Sequence, residues 1–304
     1  MISICIPIYN FNVKSLVNEL SRQAKLLRIP YEIILIDDCS SYNYKVINKE
    51  VCEKEIYIEL DKNIGRSRIR NLFRNYSKYE NLLFLDCDSI IISDDFFSKY
   101  IDIIQQGNYD VICGGRVYNK NRPGKNKMLR WKYGIIKESQ PLIIRNTSPN
   151  KSFMTSNFII SKRIFNQIGF DEKVTAYGHE DTLFGYRLKK AGIKIQHIDN
   201  FVMNGNIEDN IEFLKKTEIG IINLIKILRI VNYDRDFIKD VTLLEFYYKF
   251  ESIKMTYIVQ LIFICLKPII RSILIKGYIN LWLFDFYKLG ILIQNRNQTS
   301  KIAE

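Results

Sequence analysis

Two acidic residues, Asp86 and Asp88, follow directly after the apolar run Asn81-Leu-Leu-Phe-Leu. An apolar run bounded by polar residues indicates a buried central strand, and open α/β sheets bind ligands at the carboxyl ends of such strands. Residues i and i+2 of a strand point to the same side, so both carboxylates can face one cation. Mg²⁺ typically binds one or two carboxylates together with substrate phosphates. The pair therefore predicts a metal and phosphate site, although a solvated turn with two acids fits the same pattern.

The segments before this run alternate between strand and helix patterns. Apolar strands end at Tyr9 and at Asp37-Asp38, and a third short strand precedes the turn Gly65-Arg66. Apolar residues at helical spacing lie between them. The alternation predicts a mostly parallel, doubly wound sheet, in which the strand ends share one edge. Acids at this edge, with helix amides and arginine after a glycine turn, predict a nucleotide-binding crevice.

A second acidic pair, Glu180 and Asp181, falls in the first turn of a predicted helix. The helix is indicated by apolar residues at helical spacing, Leu183, Phe184 and Leu188. Acids at this position often do no more than complement the helix dipole. The pattern alone therefore gives the pair no catalytic role.

Composition narrows the class of protein. The 304 residues are 47% hydrophobic, which allows one large α/β domain with an appendage, or two domains. The six cysteines have no paired spacing and are expected to be buried thiols in a reducing compartment. Met1 leads straight into a strand pattern, so no amino-terminal signal is expected. The net charge of +12 indicates a polyanionic partner: nucleotide phosphates, nucleic acid or an anionic membrane.

Basic residues concentrate in two later regions. The segment 116–132 contains seven of them and no acid, and Pro123-Gly124 predicts a loop that either grips phosphate or anionic lipid or is simply solvated. From about residue 255, apolar and aromatic residues alternate with lysine and arginine, and Lys267-Pro268 is expected to interrupt the helix pattern. No uncharged apolar stretch reaches the roughly 18–20 residues of a spanning helix. The pattern predicts an interfacial helix on an anionic leaflet, or an amphipathic pair of helices packed on protein.

Several segments together resemble one family, in that family's order. They are Ser3-Ile-Cys-Ile-Pro-Ile-Tyr-Asn10, Ile36-Asp-Asp-Cys-Ser40, Lys62-Asn-Ile-Gly-Arg-Ser-Arg-Ile-Arg-Asn71, Asp86-Cys87-Asp88, Asn157 through Glu172, and Gly178 through Gly192. The chain resembles the inverting family 2 glycosyltransferases of the GT-A fold over roughly its first two-thirds. The resemblance implies a Rossmann-like α/β fold with a mostly parallel central sheet flanked by helices. It places a catalytic domain at residues 1–207. Helical spacing of apolar residues beyond it predicts a helical carboxyl-terminal region at 208–304, amphipathic and suited to a membrane surface from about 255.

The resemblance also implies a role for each matching residue. Asp181 is the expected general base on the acceptor hydroxyl, and Glu180 beside it is expected to bind the acceptor. Asp88 is the expected ligand of a divalent cation, Mg²⁺ or Mn²⁺, and Asp86 reaches that metal or the ribose. The remaining donor-binding residues implied by the match are Pro7, Tyr9, Asp37, Asp38, Arg66 and Arg70.

One position departs from the family pattern. Related sequences often carry a histidine where this chain has Asn204, and proline where it has Phe201. An asparagine carbonyl suits Mg²⁺ but binds a borderline metal far more weakly than imidazole does, so Asn204 is the weaker candidate for a metal ligand. His197, seven residues earlier, is either a displaced ligand or a buried structural histidine, and the latter is the commoner case.

The function implied by the resemblance is sugar transfer from a nucleoside-diphosphate sugar, a UDP-sugar first, to a hydroxyl of a carbohydrate or lipid-linked glycan. Such an enzyme would serve the synthesis of cell-surface polysaccharide or glycan, in the cytoplasm and peripheral on the inner face of the membrane. A non-catalytic homologue that binds sugar nucleotides is the main alternative. A nucleotidyltransferase fits less well, because Tyr9-Asn-Phe-Asn replaces the glycine-rich loop expected after the first strand. Nucleic acid is not an expected partner, because no binding motif is present.

Overall fold

The computed structural model describes residues 1–51, 55–107 and 109–300, which form two compact units. The sheet unit comprises residues 1–119, 138–175 and 180–206. The helical unit comprises residues 120–137, 176–179 and those from 207 onward. The division into domains at 1–207 and 208–304 stays a prediction.

The sheet unit contains all ten strands of the described residues. In chain order they are Ile2–Ile8 (β1), Tyr31–Asp37 (β2), Ile56–Glu59 (β3), Asn81–Leu85 (β4), Ser89–Ile91 (β5), Val111–Cys113 (β6), Arg116–Val117 (β7), Asn157–Ser161 (β8), Ile195–His197 (β9) and Val202–Asn204 (β10). Seven of them form a central sheet in the order β3-β2-β1-β4-β8-β6-β9. The other three form a small sheet in the order β5-β10-β7.

The central sheet is mostly parallel, as predicted. Strand β1 pairs in parallel with β2 and β4, which places Ile8 opposite Asp37 and Cys5 opposite Phe84. Only β8 runs against its neighbours, β4 and β6. Residues 82–85 of β4 are completely buried, which confirms that the apolar run before Asp86 is a central strand. The carboxyl ends of β1, β2 and β4 therefore lie along one edge.

Helices pack on both faces of the central sheet and form two clusters of buried apolar residues with it. Within the sheet unit they are Lys14–Leu27 (α1), Tyr42–Val51 (α2), Arg66–Tyr76 (α3), Phe96–Gln106 (α4), Leu142–Thr147 (α6), Lys162–Gln167 (α7) and Glu180–Lys190 (α8). Ser161 caps α7, because its hydroxyl accepts a hydrogen bond from Ile164 N at 3.2 Å. The cysteines of the described residues are free thiols, but only Cys5 and Cys113 are buried as expected. Cys39 and Cys87 are half-buried, Cys265 is exposed on α12, and Cys52 lies outside the described residues.

The helical unit is built around a long helix. Its helices are Met128–Tyr133 (α5), Asn210–Ile230 (α9), Arg235–Asp240 (α10), Thr242–Ser252 (α11), Thr256–Ile275 (α12) and Leu281–Ser300 (α13). The buried Asn210 side chain ties three of them together, because it donates to Lys125 O and Ile275 O and accepts from Leu129 N. The basic segment 116–132 was predicted to be a loop, but its second half is helical, with a 3₁₀ turn at Lys125–Lys127 leading into α5.

The prediction that Lys267-Pro268 interrupts the carboxyl-terminal helix is wrong. The helix continues through Pro268, at the cost of one backbone hydrogen bond. Close packing on α13 offsets this cost, because Gly290 lets the Phe263 ring approach to within 2.2 Å of where a Cβ would stand. The uninterrupted helix is long and apolar enough to cross a membrane by length and composition, which is weak evidence on its own.

Candidate active site at the carboxyl edge of the sheet

The loops after β1 and β2 are joined by side chain to backbone hydrogen bonds. Asn10 N donates to Ser40 Oγ at 2.8 Å, and Ser41 N donates to Asn10 Oδ1 at 2.8 Å. Next to this junction, Pro7 is half-buried and Tyr9 is 55% exposed. The ring of Tyr9 is therefore accessible at the edge where the nucleoside is predicted to bind.

Asp37 and Asp38 already have hydrogen-bond partners within the protein. Asp37 is fully buried and accepts from Ser40 N at 2.6 Å and from the Tyr57 hydroxyl at 2.9 Å. Asp38 accepts from Ile64 N at 2.7 Å and from Gly65 N at 3.1 Å. Asp38 therefore fixes the turn that opens α3, and Asp37 holds the loop after β2. Their contact with a donor nucleotide stays a prediction.

Arg70 of α3 lies between the half-buried carboxylate of Asp86 and the buried carboxylate of Glu180. Its Nη2 is 2.9 Å from Asp86 Oδ1, and its Nη1 is 3.7 Å from Glu180 Oε1, which Arg66 also approaches at 3.4 Å. Burial alone would raise the pKa of Asp86, but the charges of Arg70 and Arg116 outweigh it and hold that pKa below its usual value. The pKa of Glu180 is likewise lowered, because Arg66 and Arg70 outweigh the effect of burial. Both carboxylates are therefore ionised and charge-compensated.

Asp181 is the exception among these acids. Its Oδ1 accepts hydrogen bonds from the backbone N and hydroxyl of Thr182, at 2.7 and 3.3 Å, and it forms no salt bridge with a described residue. Burial and the negative charge of Glu180 raise the pKa of Asp181 to about 6. A half-buried carboxylate with a pKa near neutrality, on the first turn of a helix, is suited to accept a proton.

The small sheet brings together three residues that are distant in sequence. Asp88 precedes β5, Arg116 opens β7 and Asn204 ends β10, and Asn204 pairs with Ser89 across the sheet. Arg116 Nη2 lies 3.1 and 3.3 Å from the two Asp88 carboxylate oxygens and 4.0 Å from Asp86 Oδ2. Asn204 Nδ2 donates to Asp88 Oδ2 at 2.9 Å. The structure therefore joins the predicted metal ligands and adds an arginine that the motifs did not identify.

The oxygen atoms at this place fit a hard divalent cation on one condition. Asp86 and Asp88 supply carboxylates, and the buried Asn204 Oδ1 finds no hydrogen-bond donor among the described residues. Mg²⁺ and Mn²⁺ prefer such oxygen ligands. Within the described part of the chain no cluster of three or more Asp, Glu, His or Cys residues could hold a metal, so substrate phosphates would have to complete the ligand set. The condition is that Arg116 moves away from Asp88.

A buried polar network holds the loops that carry Arg116 and Asn204. Asn157 Nδ2 donates to Gly115 O at 3.1 Å and to Asn200 O at 2.7 Å, while its Oδ1 accepts from the Tyr100 hydroxyl at 2.6 Å. A Cβ at Gly114 would lie 2.3 Å from Asn200 O and 2.4 Å from the Tyr100 hydroxyl, so only glycine fits there.

His197 belongs to a separate buried cluster. Its Nε2 lies 2.9 Å from Pro149 O, and its Nδ1 lies 3.1 Å from Arg145 Nη1. Burial lowers the pKa of His197, and a neutral ring can donate to the carbonyl and accept from the guanidinium. Both ring nitrogens are therefore engaged, as expected for a structural histidine.

The order of these features along the chain matches a known family. Residues 3–169, more than half of the chain, match the model of the glycosyl transferase family 2. The chain belongs to the family 2 glycosyltransferases. This assignment confirms the predicted family and supports an enzyme that transfers glycosyl groups.

The relatives of this family 2 member include polysaccharide synthases. The chain is 27% identical over 231 residues to a chondroitin synthase of Escherichia coli, a match that covers 65% of the chain and 33% of the synthase. The chain thus spans about a third of that relative's length.

Two solved structures share its fold. Residues 1–349 of TarS from S. aureus align with a TM-score of 0.52 and 17% identity, covering 98% of this chain and 91% of that one. The mannosyltransferase PcManGT from Pyrobaculum calidifontis was solved with GDP-Man and Mn²⁺. It aligns with a TM-score of 0.53 and 11% identity, covering 75% of this chain and 64% of that one. These likenesses confirm the predicted GT-A type α/β fold.

Proposed function

We propose that this family 2 glycosyltransferase moves a sugar from a nucleoside-diphosphate sugar, a UDP-sugar first, to a hydroxyl of a carbohydrate or lipid-linked glycan. The observation that carries the proposal is the contrast among the buried acids. Asp86 and Glu180 are compensated by arginine, whereas Asp181 has no salt bridge among the described residues and a pKa raised to about 6. A carboxylate without a salt bridge among the described residues, next to residues that could hold the donor, is what an inverting transfer requires.

In the proposed reaction, Asp181 takes the proton of the acceptor hydroxyl. The acceptor oxygen forms a bond to the anomeric carbon from the face opposite the leaving group, and the bond between that carbon and the diphosphate oxygen breaks. Its electron pair leaves with the nucleoside diphosphate, and the anomeric configuration inverts. No covalent intermediate with the protein is needed.

The residues that would hold the donor lie around this acid. Arg66, whose side chain is about half exposed (51%), would turn from Glu180 toward a phosphate, and the Gly65 turn opens α3 beside it. Tyr9 offers an exposed ring for a base. A Mg²⁺ or Mn²⁺ ion bound at Asp86 and Asp88 would supply positive charge to the departing diphosphate. The PcManGT structure, which contains Mn²⁺, supports this cofactor by analogy of fold.

The acceptor is proposed from a sequence relative. The chondroitin synthase relative supports a polysaccharide or glycan. We further propose that the protein works on the inner face of an anionic membrane. The exposed apolar side chains of α12 and the lysines and arginines around them support this location.

The test is release of nucleoside diphosphate from a panel of sugar nucleotides, with and without Mg²⁺ or Mn²⁺, in the presence of oligosaccharide acceptors. We expect metal-dependent release with one donor, and Asp181→Asn should abolish transfer while donor binding persists. Binding of donor without turnover on any acceptor would instead favour the non-catalytic homologue. The contact between Arg116 and Asp88 is the observation that keeps this second function in view.

A further inference from the structure

We propose that Arg116 is a resident counter-ion that occupies the cation position of Asp88 and makes metal binding depend on the nucleotide diphosphate. The inference rests on the proposed function, because it concerns the same predicted metal site. It assigns a role to a residue that lies outside the family motifs named above.

The geometry places the guanidinium where a cation would bind. One nitrogen of Arg116 is within 3.3 Å of both Asp88 carboxylate oxygens, and it is 4.0 Å from Asp86 Oδ2. The residue is only 9% exposed, so this is not a surface ion pair that solvent screens. The Asn204 amide donates to the same carboxylate, on Oδ2.

A divalent cation and this guanidinium cannot share Asp88 in that arrangement. Arginine does not lose its proton at accessible pH, so its charge cannot be removed and the side chain must move. Moving it leaves a buried positive charge that needs a new anionic partner.

The diphosphate of the donor meets this need. Its oxygens can ligate the cation and can also accept the planar fork of Arg116, for which phosphate is a well-matched partner. Metal and nucleotide would then each improve the binding of the other, which is a coupling free energy between two ligands. The nucleotide-free protein should accordingly bind metal weakly.

The experiment is titration of Mn²⁺ followed by electron paramagnetic resonance, with nucleotide-free protein and with saturating UDP. Arg116→Gln should tighten Mn²⁺ binding to the nucleotide-free protein by about tenfold or more, since one charge is removed beside two carboxylates. Arg116→Lys, which keeps the charge but loses the fork, should fall between the two proteins. Arg163→Gln, an exposed arginine on α7, is the matched control and should not change the titration. Thermal denaturation identifies any variant that has not folded.

The coupling is the second readout. UDP should tighten Mn²⁺ binding strongly in the wild type and about tenfold less in Arg116→Gln. Equal Mn²⁺ affinity of the nucleotide-free wild type and both Arg116 variants would overturn the inference and leave metal-dependent transfer intact. If no protein binds Mn²⁺ even with UDP, the metal site of the proposed function fails together with it.

Discussion

Asp181 differs from Asp86 and Glu180 because it forms no salt bridge with any described lysine or arginine. Burial and Glu180 raise its pKa to about 6, and a protonated carboxyl cannot accept the acceptor's proton. Transfer should therefore be constant above that pH and fall about tenfold per pH unit below it. A base with an ordinary aspartate pKa would keep its activity down to about pH 4.

The measurement is kcat/KM for donor turnover between pH 4.5 and 8.5, on the wild type and on Asp181→Asn. The variant should lose about 10²–10⁴-fold in rate, the usual contribution of a general base, with its KM for donor little changed. A rate that is unaffected by the substitution would refute the assignment of Asp181 as the base.

Arg70 is expected to be the most costly single charge to remove. Its side chain is 3% exposed and pairs with Asp86 and Glu180, so Arg70→Met leaves two buried carboxylates with less compensation. We expect the free energy of unfolding at pH 7 to fall by about 3–5 kcal/mol. Arg68→Met on the same helix is the control, because Arg68 is half exposed and lies 3.8 Å from Glu172; its loss should cost about 0–1 kcal/mol.

The effect of Arg70 should also depend on pH. The folded-state pKa values of Asp86 and Glu180 are lowered, so their stabilisation is present above the unfolded pKa near 4 and is lost as pH falls through the folded values. Urea denaturation should therefore show the gap between wild type and Arg70→Met narrowing below about pH 4. A gap that is constant from pH 7 to pH 3 would contradict the pairing.

At the residue scale, the sequence identified acids better than it identified their partners. Asp86, Asp88, Glu180 and Asn204 all take part in the cluster that the motifs predicted. Arg116 could have been suspected, since it follows the strand-end glycines Gly114-Gly115, but it opens a segment, 116–132, that contains six other basic residues. Which of seven basic residues meets a carboxylate depends on strand pairing across the chain, and no local pattern encodes that.

At the scale of elements, Asn157 links β8 to the loops that lead into β7 and β10. Asn157→Ala would remove one hydrogen bond each from Gly115 O, Asn200 O and the Tyr100 hydroxyl, although Gly115 O would keep a backbone donor, Val202 N at 3.3 Å. We expect the free energy of unfolding to fall by about 2–4 kcal/mol, because each buried group left unsatisfied costs about 1–3 kcal/mol. Tyr100→Phe removes one of the three bonds and should cost less. Chemical denaturation compares them, and equal losses would show that the amide network does not carry the effect.

The longer elements were predictable because their periodicity extends over many residues. Strands β1, β2 and β4 and helices α1, α3 and α8 follow apolar patterns of seven or more residues, or an apolar run with clear ends. The small sheet was not predicted, since β5, β7 and β10 have only two or three residues each. Strands this short show no recognisable alternation of apolar and polar residues, and they form because they pair with one another. The half of the site that includes Asp88, Arg116 and Asn204 depends on them.

At the scale of the whole molecule, α12 has one set of buried apolar residues and a second set that is exposed. Val259, Phe263, Ile270 and Leu274 are buried, whereas a broad face of the same helix is exposed: Tyr257, Ile258, Leu261, Ile262, Ile264, Leu266 and Ile269. Basic residues border this face at Lys254, Lys267, Arg271 and Lys276. The combination predicts binding to a bilayer that contains anionic lipid.

The test is cosedimentation of the full chain with vesicles of phosphatidylglycerol and phosphatidylcholine, compared with phosphatidylcholine alone. Changing Ile258, Leu261 and Ile269 together to serine should weaken binding to anionic vesicles at least tenfold, since each buried aliphatic side chain contributes about 1.5–3 kcal/mol. The matched control changes Leu26, Ile143 and Ile144 to serine, because these are at least as exposed (48–80% against 47–57%) but lie in the sheet unit.

Salt and alkali separate the kinds of attachment. A peripheral protein held partly by charge should bind less as salt rises and should be released by alkaline carbonate, whereas an α12 that crosses the bilayer would resist both. Binding that is lost equally in the two triple variants, or that ignores lipid charge, would argue that the exposed face of α12 meets protein instead. A peripheral location requires that the α12 variant loses binding to anionic vesicles and that the sheet-unit variant keeps it.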